Sequence, residues 1–310
     1  MQKIRAWIES LAYENYRLDE IKADASFRKY YRLSLENETF IVMDSSLDKD
    51  SMYPFIDISV RLLKANVEVP RIVAQNIKEG FLLLTDLGTQ HLADMLSPMS
   101  VQLLYMKGIT EIIKMQTIDT EGMEVYDRDF FLSEMTLMEE WYLRQHKSTF
   151  LSEKSLGELG EILNLILDEV FAQPQGLFVH RDFHSRNIML VKGKLFIIDY
   201  QDAKVGPLTY DLVSMLKDVY VEYDEALIKE MALEFKALKQ LDVSDEEFLR
   251  WFDFMALQRH LKILGIFARL NIRDGKSRYL QNIPLTLKYV LDVCDRYDEL
   301  KPLAQLLREK

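Results

Sequence analysis

The sequence predicts an α+β protein with two lobes, a small β-rich N-terminal lobe and a larger helical C-terminal lobe. Short segments rich in β-branched and aromatic residues dominate the first part of the chain. From residue 89 onward, apolar residues recur mostly at the three- and four-residue spacing of amphipathic helices. This helical part is interrupted at 178–203, where two short apolar runs are separated by polar residues.

The N-terminal lobe is predicted to be a small sheet accompanied by two helices. Ile4, Trp7 and Ile8 recur at helical spacing, whereas "YYRLSL" and "TFIVMD" have strand composition. The predicted elements are, in chain order, a helix beginning near residue 4, strands near 17–21, 30–35 and 39–44, a helix over 51–65, and strands within 67–76 and 80–88. No glycine precedes Gly80, so a ligand of the first strands is not held by a glycine-rich turn.

The C-terminal lobe is predicted to be helical except for one hairpin. The hairpin strands lie near 187–191 and 195–199 and are joined at Lys192–Gly193–Lys194. The predicted helices cover 99–117, 128–146, 154–172, 208–218, 224–240, 245–272 and 284–308. A hinge near 84–88 divides the chain into predicted domains 1–88 and 89–310.

Composition excludes several classes of protein. Hydrophobic residues make up 48% and charged residues 29% of the 310 residues, as in a soluble globular protein. The net charge, 39 − 50 = −11, disfavours nucleic acid or a membrane surface as the main partner. The single Cys294 excludes an internal disulfide framework, and neither a signal peptide nor an apolar run long enough for a membrane span is recognisable. We therefore expect a cytoplasmic protein.

The polar residues of 178–203 have the spacing of a phosphotransfer site. His180-Arg181-Asp182 is followed by Asn187 with four residues between them, and Asp199 comes directly after an apolar run. Transfer of a phosphoryl group from ATP needs oxygen ligands for Mg²⁺ and a carboxylate that accepts the proton of the attacking hydroxyl. In the alternative interpretation, these side chains only satisfy loop hydrogen bonds. Their joint spacing between two strand-like runs favours the catalytic interpretation.

The segments "HRDFHSRN", "DYQDA" and "GPLTYD" resemble the small-molecule kinases that include aminoglycoside phosphotransferases and choline kinases. The resemblance implies a bilobal protein-kinase-like fold, with a nucleotide-binding N-terminal lobe and the catalytic loop, metal site and acceptor site in the C-terminal lobe. It also implies Mg²⁺ and ATP as cofactors. Asp182 is then the expected catalytic base, Asn187 and Asp199 the Mg²⁺ ligands, His180 a scaffold of the catalytic loop, and Asp211 the buried acid that braces this loop.

A narrower resemblance concerns the acceptor. "DASFRKYYRL", "IVMD", "GFLLLTDLG" and "QRHLKILGIFARL" are similar to a subgroup of bacterial sugar kinases of cell-wall recycling. These enzymes phosphorylate the anomeric hydroxyl of N-acetylmuramate or N-acetylglucosamine. The resemblance implies an amino sugar as the small-molecule partner.

The nucleotide site departs from the protein-kinase pattern. Protein kinases use a lysine of the third strand to bind the α- and β-phosphates, but here Asp44 stands at about that position. Arg28 or Arg32 is the expected replacement, with backbone N–H groups of the "ADAS" loop and the Ser26 hydroxyl; the alternative is that both arginines are solvated edge residues. Backbone groups from Leu84 to Asp86 are expected to bind adenine.

Acceptor-binding residues are predicted on two helices and in the catalytic loop. Arg259 lies on a basic stripe with Lys262, Arg269 and Arg273, which either binds an anionic acceptor or is solvated or ion-paired. Glu134 and Trp141 suit a sugar ring, but Trp141 equally suits the core. His184 either contacts the substrate or only packs.

Three functions remain open from sequence alone. The first is an ATP-dependent kinase for a sugar hydroxyl, and the second is a kinase of the same fold with a cationic acceptor such as an aminoglycoside or choline. The third is an inactive kinase fold that acts as a binding module, which the intact Asp182, Asn187 and Asp199 disfavour. A protein kinase is disfavoured further, because the glycine-rich loop and the A-P-E segment are missing. The preference for ATP or GTP and the oligomeric state are not predicted.

Overall fold

The computed structural model describes residues 1–21 and 28–308 and divides into two compact units. The first unit contains Met1–Met95 and Arg186–Ala203, and the second contains Leu96–Ser185 and Lys204–Lys310. The first unit is β-rich and the second is mostly helical, which confirms the predicted α+β class. By their internal contacts, residues 186–203 belong with the N-terminal strands. The assignment of nucleotide binding to residues 1–88 stays a prediction.

A five-stranded antiparallel sheet forms most of the first unit, in the order β1-β2-β3-β5-β4. Its elements are α1 (Gln2–Ser10), β1 (Arg17–Ile21), β2 (Lys29–Ser34), β3 (Thr39–Asp44), α2 (Met52–Lys64), β4 (Ile72–Asn76), β5 (Phe81–Thr85) and α3 (Leu92–Met95). The continuous apolar run of β5 is buried because this strand pairs on both edges, with β3 and β4.

The two faces of this sheet carry different residues. On one face, Trp7 of α1 packs on Phe81 with ring centroids 5.6 Å apart, and Tyr31 and Leu33 of β2 are buried in the same cluster. Because side chains alternate along a strand, Tyr30 and Arg32 lie on the opposite face. The face of β2 that carries Arg32 is therefore more polar than the face that packs on α1.

The hairpin of the first unit consists of β7 (Ile188–Val191) and β8 (Lys194–Ile197). Lys192 and Gly193 connect the strands with φ angles of 49° and 78°, as a two-residue type I′ turn requires. The Ile197 N–H donates to the Glu68 carbonyl at 2.8 Å, which fastens the hairpin to the rest of the unit. Since Ile188 pairs with Ile197, the residues just outside these two positions are neighbours as well.

The second unit surrounds one long helix. Its helices and strands are α4 (Val101–Met115), α5 (Arg128–Leu137), a π-helix (Met138–His146), α6 (Glu153–Ala172), β6 (Leu177–Val179), β9 (Lys204–Gly206), α7 (Tyr210–Leu216), α8 (Glu225–Leu238), α9 (Asp245–Ile272), α10 (Ile283–Cys294) and α11 (Lys301–Arg308). The central α9 begins at the N-cap Ser244, whose side chain accepts from the Glu247 N–H, and it is buried over most of its circumference. Its bounds agree with the predicted 245–272. Within the described part of the chain, no helix is both long and apolar enough to cross a membrane.

Two segments that were predicted to be single continuous α-helices are interrupted in the structure. The helix predicted over 128–146 is α-helical only to Leu137 and then continues as a π-helix, at the point where α9 approaches most closely. The helix predicted over 284–308 is interrupted after Cys294, and Tyr297 is extended. Pro302 explains the restart, because proline lacks the N–H needed in a helix interior and is accepted in a first turn.

Candidate active site

The start of the catalytic loop is held by a buried carboxylate. Strand β6 leads into His180, and Asp211 in the first turn of α7 accepts the His180 N–H at 2.7 Å and the Arg181 N–H at 3.1 Å. Burial raises the pKa of Asp211, against the opposing effect of His180 and of these two backbone donors. The His180 ring, also buried, accepts the Asp182 N–H through Nδ1 at 3.2 Å. The direction of the loop at Asp182 is thereby fixed.

Asp182 follows a strained residue and faces cations. Arg181 has a φ of 77°, a left-handed conformation that persists only where the surroundings enforce it. Arg259 Nη1 donates to the Arg181 carbonyl at 2.6 Å and lies 3.8 Å from Asp182 Oδ1. Burial by itself raises the pKa of Asp182, but the positive charges of Lys262 and Arg259 outweigh it and hold that pKa well below its usual range. The carboxylate is thus ionised at neutral pH, and half of its side chain is exposed.

A buried cluster around Glu134 holds the Arg181 side chain. We call Glu134, Arg181, Lys262, Tyr126 and Tyr210 the Glu134 cluster. Glu134 accepts from Arg181 Nη2 at 2.7 Å, from Lys262 Nζ at 2.9 Å and from the Tyr126 hydroxyl, and Lys262 Nζ also donates to the Tyr210 hydroxyl at 3.3 Å. Burial opposes ionisation of Glu134, yet Lys262 and Arg181 hold its pKa below the ordinary value. The cluster therefore supports the strained loop residue from two helices.

The far end of the loop is held by a second buried carboxylate. Asp218 Oδ2 accepts from the Ser185 N–H at 2.9 Å and from the Ser185 hydroxyl at 2.5 Å, and Oδ1 accepts the Tyr220 N–H at 2.9 Å. The half-buried His184 ring meets the Tyr220 ring edge-on, with centroids 5.2 Å apart. Sequence reasoning missed Asp218 and Tyr126, and it placed Lys262 on a basic stripe, not beside Glu134. Asp218 lies two residues beyond the end of α7 at Leu216, and no sequence pattern singled it out.

In the first unit, the hairpin brings Asn187 and Asp199 together. Asn187 Nδ2 lies 3.4 Å from Asp199 Oδ2, and Gln201 Nε2 donates to Asp199 Oδ1 at 2.8 Å. Asp199 is exposed and has a φ of 64°. In the described residues, no three His, Cys, Asp or Glu side chains are grouped as a metal site. One carboxylate and one amide nevertheless fit Mg²⁺, which binds few protein oxygens and takes its other ligands from phosphates and water.

The two candidate phosphate-binding arginines have different surroundings. Arg28 is buried to 9% exposure and donates through Nε to Ser51 Oγ at 3.3 Å and through Nη2 to the Ser51 carbonyl at 3.1 Å. It also hydrogen-bonds Tyr30, whose pKa is raised by burial, lowered by Arg28 and raised by the charge of Asp199. Arg28 and Asp199 thus act on the same hydroxyl.

The Arg32 side chain is held by residues that follow strand β5. Its Nε and Nη2 donate to both oxygens of Asp86, at 2.7 and 3.1 Å, and Nη2 also donates to the Gly88 carbonyl at 3.0 Å. Burial raises the pKa of Asp86, but hydrogen bonds from Arg32 and the Gly88 N–H hold it below the ordinary value. Neither Arg28 nor Arg32 is therefore a solvated edge residue.

The other predicted positions are scattered. Leu84 is buried in β5 between its two partner strands, and Asp44 accepts the Ser46 N–H at 2.9 Å through its side chain. Trp141 is half-buried in the π-helix, so it does not continue the α-helical stripe of Glu134. Ser26 lies outside the described residues.

The predicted basic stripe on α9 does not form one surface. Arg259 and Lys262 are buried and engaged with the catalytic loop and Glu134, whereas Arg273 pairs with Asp274 at 2.7 Å. Because two of its members point into the core, the stripe is not a continuous exposed face for an anionic ligand.

The family model described as the phosphotransferase enzyme family matches residues 17–252. The chain belongs to this family. It is a small-molecule kinase, which agrees with the functional class predicted from the catalytic loop.

Two relatives match nearly the whole chain of this phosphotransferase. A protein of Neisseria meningitidis serogroup B is 36% identical, with 99% of this chain and 95% of the relative covered. A protein of Pseudomonas aeruginosa is also 36% identical, with the same two coverages of 99% and 95%. Each is named N-acetylmuramate/N-acetylglucosamine kinase.

Solved structures share the fold. An ADP-bound aminoglycoside phosphotransferase has a TM-score of 0.65 at 13% identity, covering 99% of this chain and 98% of the other. A choline kinase from Streptococcus pneumoniae has a TM-score of 0.64 at 13% identity, covering 94% of this chain and 98% of the other. At such low identity these neighbours show the fold alone, and they confirm the expected kinase-like fold.

Proposed function

We propose that the enzyme transfers the γ-phosphoryl group of ATP to the anomeric hydroxyl of N-acetylmuramate or N-acetylglucosamine. The acceptor is supported by the names of the relatives that are 36% identical over 99% of the chain. The observation that carries the proposal is the ionised, half-exposed carboxylate of Asp182 in a loop held at both ends. ATP-dependent chemistry and the lone, buried Cys294 also support a cytoplasmic location.

Asp182 is proposed to orient the acceptor hydroxyl and to take its proton. A carboxylate with a strongly lowered pKa is a weak base, so it would not remove this proton before the reaction begins. Phosphoryl transfer passes through a loose transition state, in which positioning and electrostatics supply most of the catalysis. The hydroxyl therefore needs a fixed acceptor for its hydrogen bond more than a strong base, and the braced loop supports that role.

Asn187 and Asp199 are proposed to hold Mg²⁺. When bound, the ion would neutralise charge on the phosphate oxygens. Asp199 supplies the negative charge and lies two residues beyond the end of strand β8, with an exposed side chain. Gln201 occupies one carboxylate oxygen at 2.8 Å, which leaves Oδ2 beside Asn187.

Arg28 is the proposed replacement for the missing phosphate-binding lysine. Its guanidinium acts on the same Tyr30 hydroxyl as Asp199, whereas Arg32 donates through Nε and Nη2 to Asp86 and Gly88. Ser26 and the backbone of Leu84 to Asp86 remain proposed contacts of ATP.

Acceptor binding is proposed to involve His184 on the loop, with Trp141 and Glu134 as further candidates. The closeness of His184 to Asp182 supports this role, since the His184 N–H donates to the Asp182 carbonyl at 2.9 Å. Arg259 is 5% exposed and donates to the Arg181 carbonyl, which supports a role in orienting the loop more than direct contact with the sugar.

A screen of ATP consumption tests the proposed acceptor. We expect turnover with N-acetylmuramate and N-acetylglucosamine and none above background with aminoglycosides or choline. The product should lose its reducing end and show a phosphate ester by ³¹P NMR, because phosphorylation of the anomeric oxygen blocks ring opening. A reducing product would contradict anomeric transfer, and preferred turnover of choline or an aminoglycoside would contradict the amino-sugar acceptor.

A further inference from the structure

Gln201 has an unusual environment for a residue of an exposed turn. It is 9% exposed, and its side chain folds back so that Nε2 donates to Asp199 Oδ1 at 2.8 Å and reaches Asp202 Oδ2 at 3.3 Å. A neutral amide thus lies between two carboxylates. The amide hydrogen-bonds to both carboxylates but leaves their negative charge in place. A lysine or an arginine would neutralise that charge.

The Asp199 backbone needs such support. Its φ of 64° is left-handed, which is unfavourable for a residue other than glycine and persists only when its neighbours fix it. The following Tyr200 is buried, with its ring 4.9 Å from that of Phe55, and the Ala203 N–H donates to the Tyr200 carbonyl at 3.1 Å. These contacts fix the main chain after Asp199, whereas its carboxylate is contacted by the side-chain amides of Gln201, at 2.8 Å, and Asn187, at 3.4 Å.

We propose that Gln201 is a positioning residue that orients Asp199 for a divalent cation. With Oδ1 held by Gln201, Oδ2 is the oxygen presented on the side of Asn187, whose amide lies 3.4 Å away. Groups that orient a metal ligand commonly change metal affinity about 10- to 100-fold when they are removed. The inference rests on the proposed Mg²⁺ role of Asn187 and Asp199 but is independent of the acceptor.

Binding of Mn²⁺ to the full-length enzyme with ADP, followed by electron paramagnetic resonance, tests this role without turnover. Gln201→Met keeps the length and burial but removes the donor, and Gln201→Asn keeps an amide that is too short to reach. Each should raise the Mn²⁺ dissociation constant about tenfold or more, while the melting temperature changes little. Gln102→Met is the matched control, since it removes a glutamine–carboxylate hydrogen bond to Glu230 in the second unit.

The possible results are distinguishable. Weaker Mn²⁺ binding in both Gln201 variants with an unchanged Gln102→Met affinity supports the assignment. Unchanged affinity with a lower melting temperature would show that Gln201 only stabilises the turn, and failure of both variants to fold would have the same meaning. An equal loss in Gln102→Met, or no Mn²⁺ binding to the wild-type ADP complex, would also overturn it. Because no acceptor is present, the result stands apart from the amino-sugar proposal.

Discussion

Asp182 combines an open side chain with a strongly stabilised negative charge. Lys262 and Arg259 favour the ionised form, while the backbone on its N-terminal side is held by Asp211. The residue is therefore ionised at neutral pH, where it can accept a hydrogen bond. Its proposed contribution to catalysis lies in geometry and charge, and a neutral amide of the same shape lacks that charge.

Replacement of Asp182 by asparagine should lower kcat about 10²- to 10⁴-fold, the usual range for loss of a proton acceptor. ADP affinity, measured by calorimetry, should change less than twofold, because the proposed nucleotide contacts lie elsewhere. The control is Asp242→Asn, which makes the same chemical change at an exposed site. Turnover within tenfold of wild type would remove Asp182 as the proton acceptor.

Arg28 and Arg32 are four positions apart in the chain but have different partners. Arg28 hydrogen-bonds to Ser51, and Arg32 forms an ion pair with Asp86. Arg28→Met should raise the KM for ATP about tenfold or more, because the buried cation that we propose to bind the phosphates is lost. Arg32→Met should leave that KM nearly unchanged and lower the melting temperature, since it leaves the largely buried carboxylate of Asp86 without its partner. Steady-state kinetics with a thermal melt distinguish the two. An unchanged KM in Arg28→Met would refute its role in ATP binding.

At the scale of elements, the approach of α9 to α5 determines where the buried cations lie. A Cβ on Gly265 would come 2.3 Å from the Leu137 carbonyl carbon and 2.5 Å from its oxygen. Such distances are shorter than any real contact, so only glycine allows the two helices this close. Lys262 and Glu134 lie about one turn from the crossing on their respective helices, and the ion pair between them depends on the same approach.

Gly265→Ala should therefore destabilise the protein by about 1–3 kcal/mol, the usual effect of forcing extra volume into a packed interior. Activity should fall as well, because the Glu134 cluster supports Arg181. The matched control is Gly157→Ala in α6, where an added Cβ meets nothing within 4 Å and helix propensity should stabilise by up to about 1 kcal/mol. Denaturant unfolding measures both changes. Equal stability of the two variants would contradict the close helix crossing.

The hairpin shows what sequence could predict at this scale, and the second unit shows what it could not. Asn187 and Asp199 were found because both flank short apolar runs, and the antiparallel register then brings them together. The partners of Arg181 come from α5 and α9, far apart in the chain, and neither Glu134 nor Lys262 differs in sequence from a surface charge. Local periodicity gives elements, but it carries no information on which buried charges meet.

For the whole molecule, the predicted fold class and functional class are confirmed, whereas the individual roles of the site residues stay predictions. The fold class followed from the strand-rich start and the helical remainder, both of which are local properties. The unpredicted features, the π-helix after Leu137 and the break before Lys301, arise where packing or a proline overrides helical periodicity. Net charge disfavours nucleic acid and membrane surfaces as main partners, but it gives no information on where the internal charges lie.

Stability of the second unit should depend on pH through His260. This residue is completely buried, and its Nε2 bonds the Lys217 carbonyl at 2.9 Å. Burial, followed by the positive charges of Lys217 and Arg259, outweighs this hydrogen bond and lowers its pKa to about 3. The pKa of His260 is about 6.5 in the unfolded chain and about 3 in the folded protein. Between these two pH values the unfolded chain binds a proton that the folded protein does not. The free energy of unfolding therefore falls as pH falls.

From this residue alone, linkage gives a loss of about 1.4 kcal/mol between pH 7.5 and pH 5.5. His260→Gln, which keeps a donor for the Lys217 carbonyl but does not titrate, should lose about that much of the pH dependence whatever its stability at pH 7.5. His146→Gln is the control, because His146 is exposed at the end of the π-helix. Denaturant unfolding at both pH values measures the difference. Equal pH dependence in wild type and His260→Gln would mean that the buried imidazole is protonated in the folded state, against the cations that surround it.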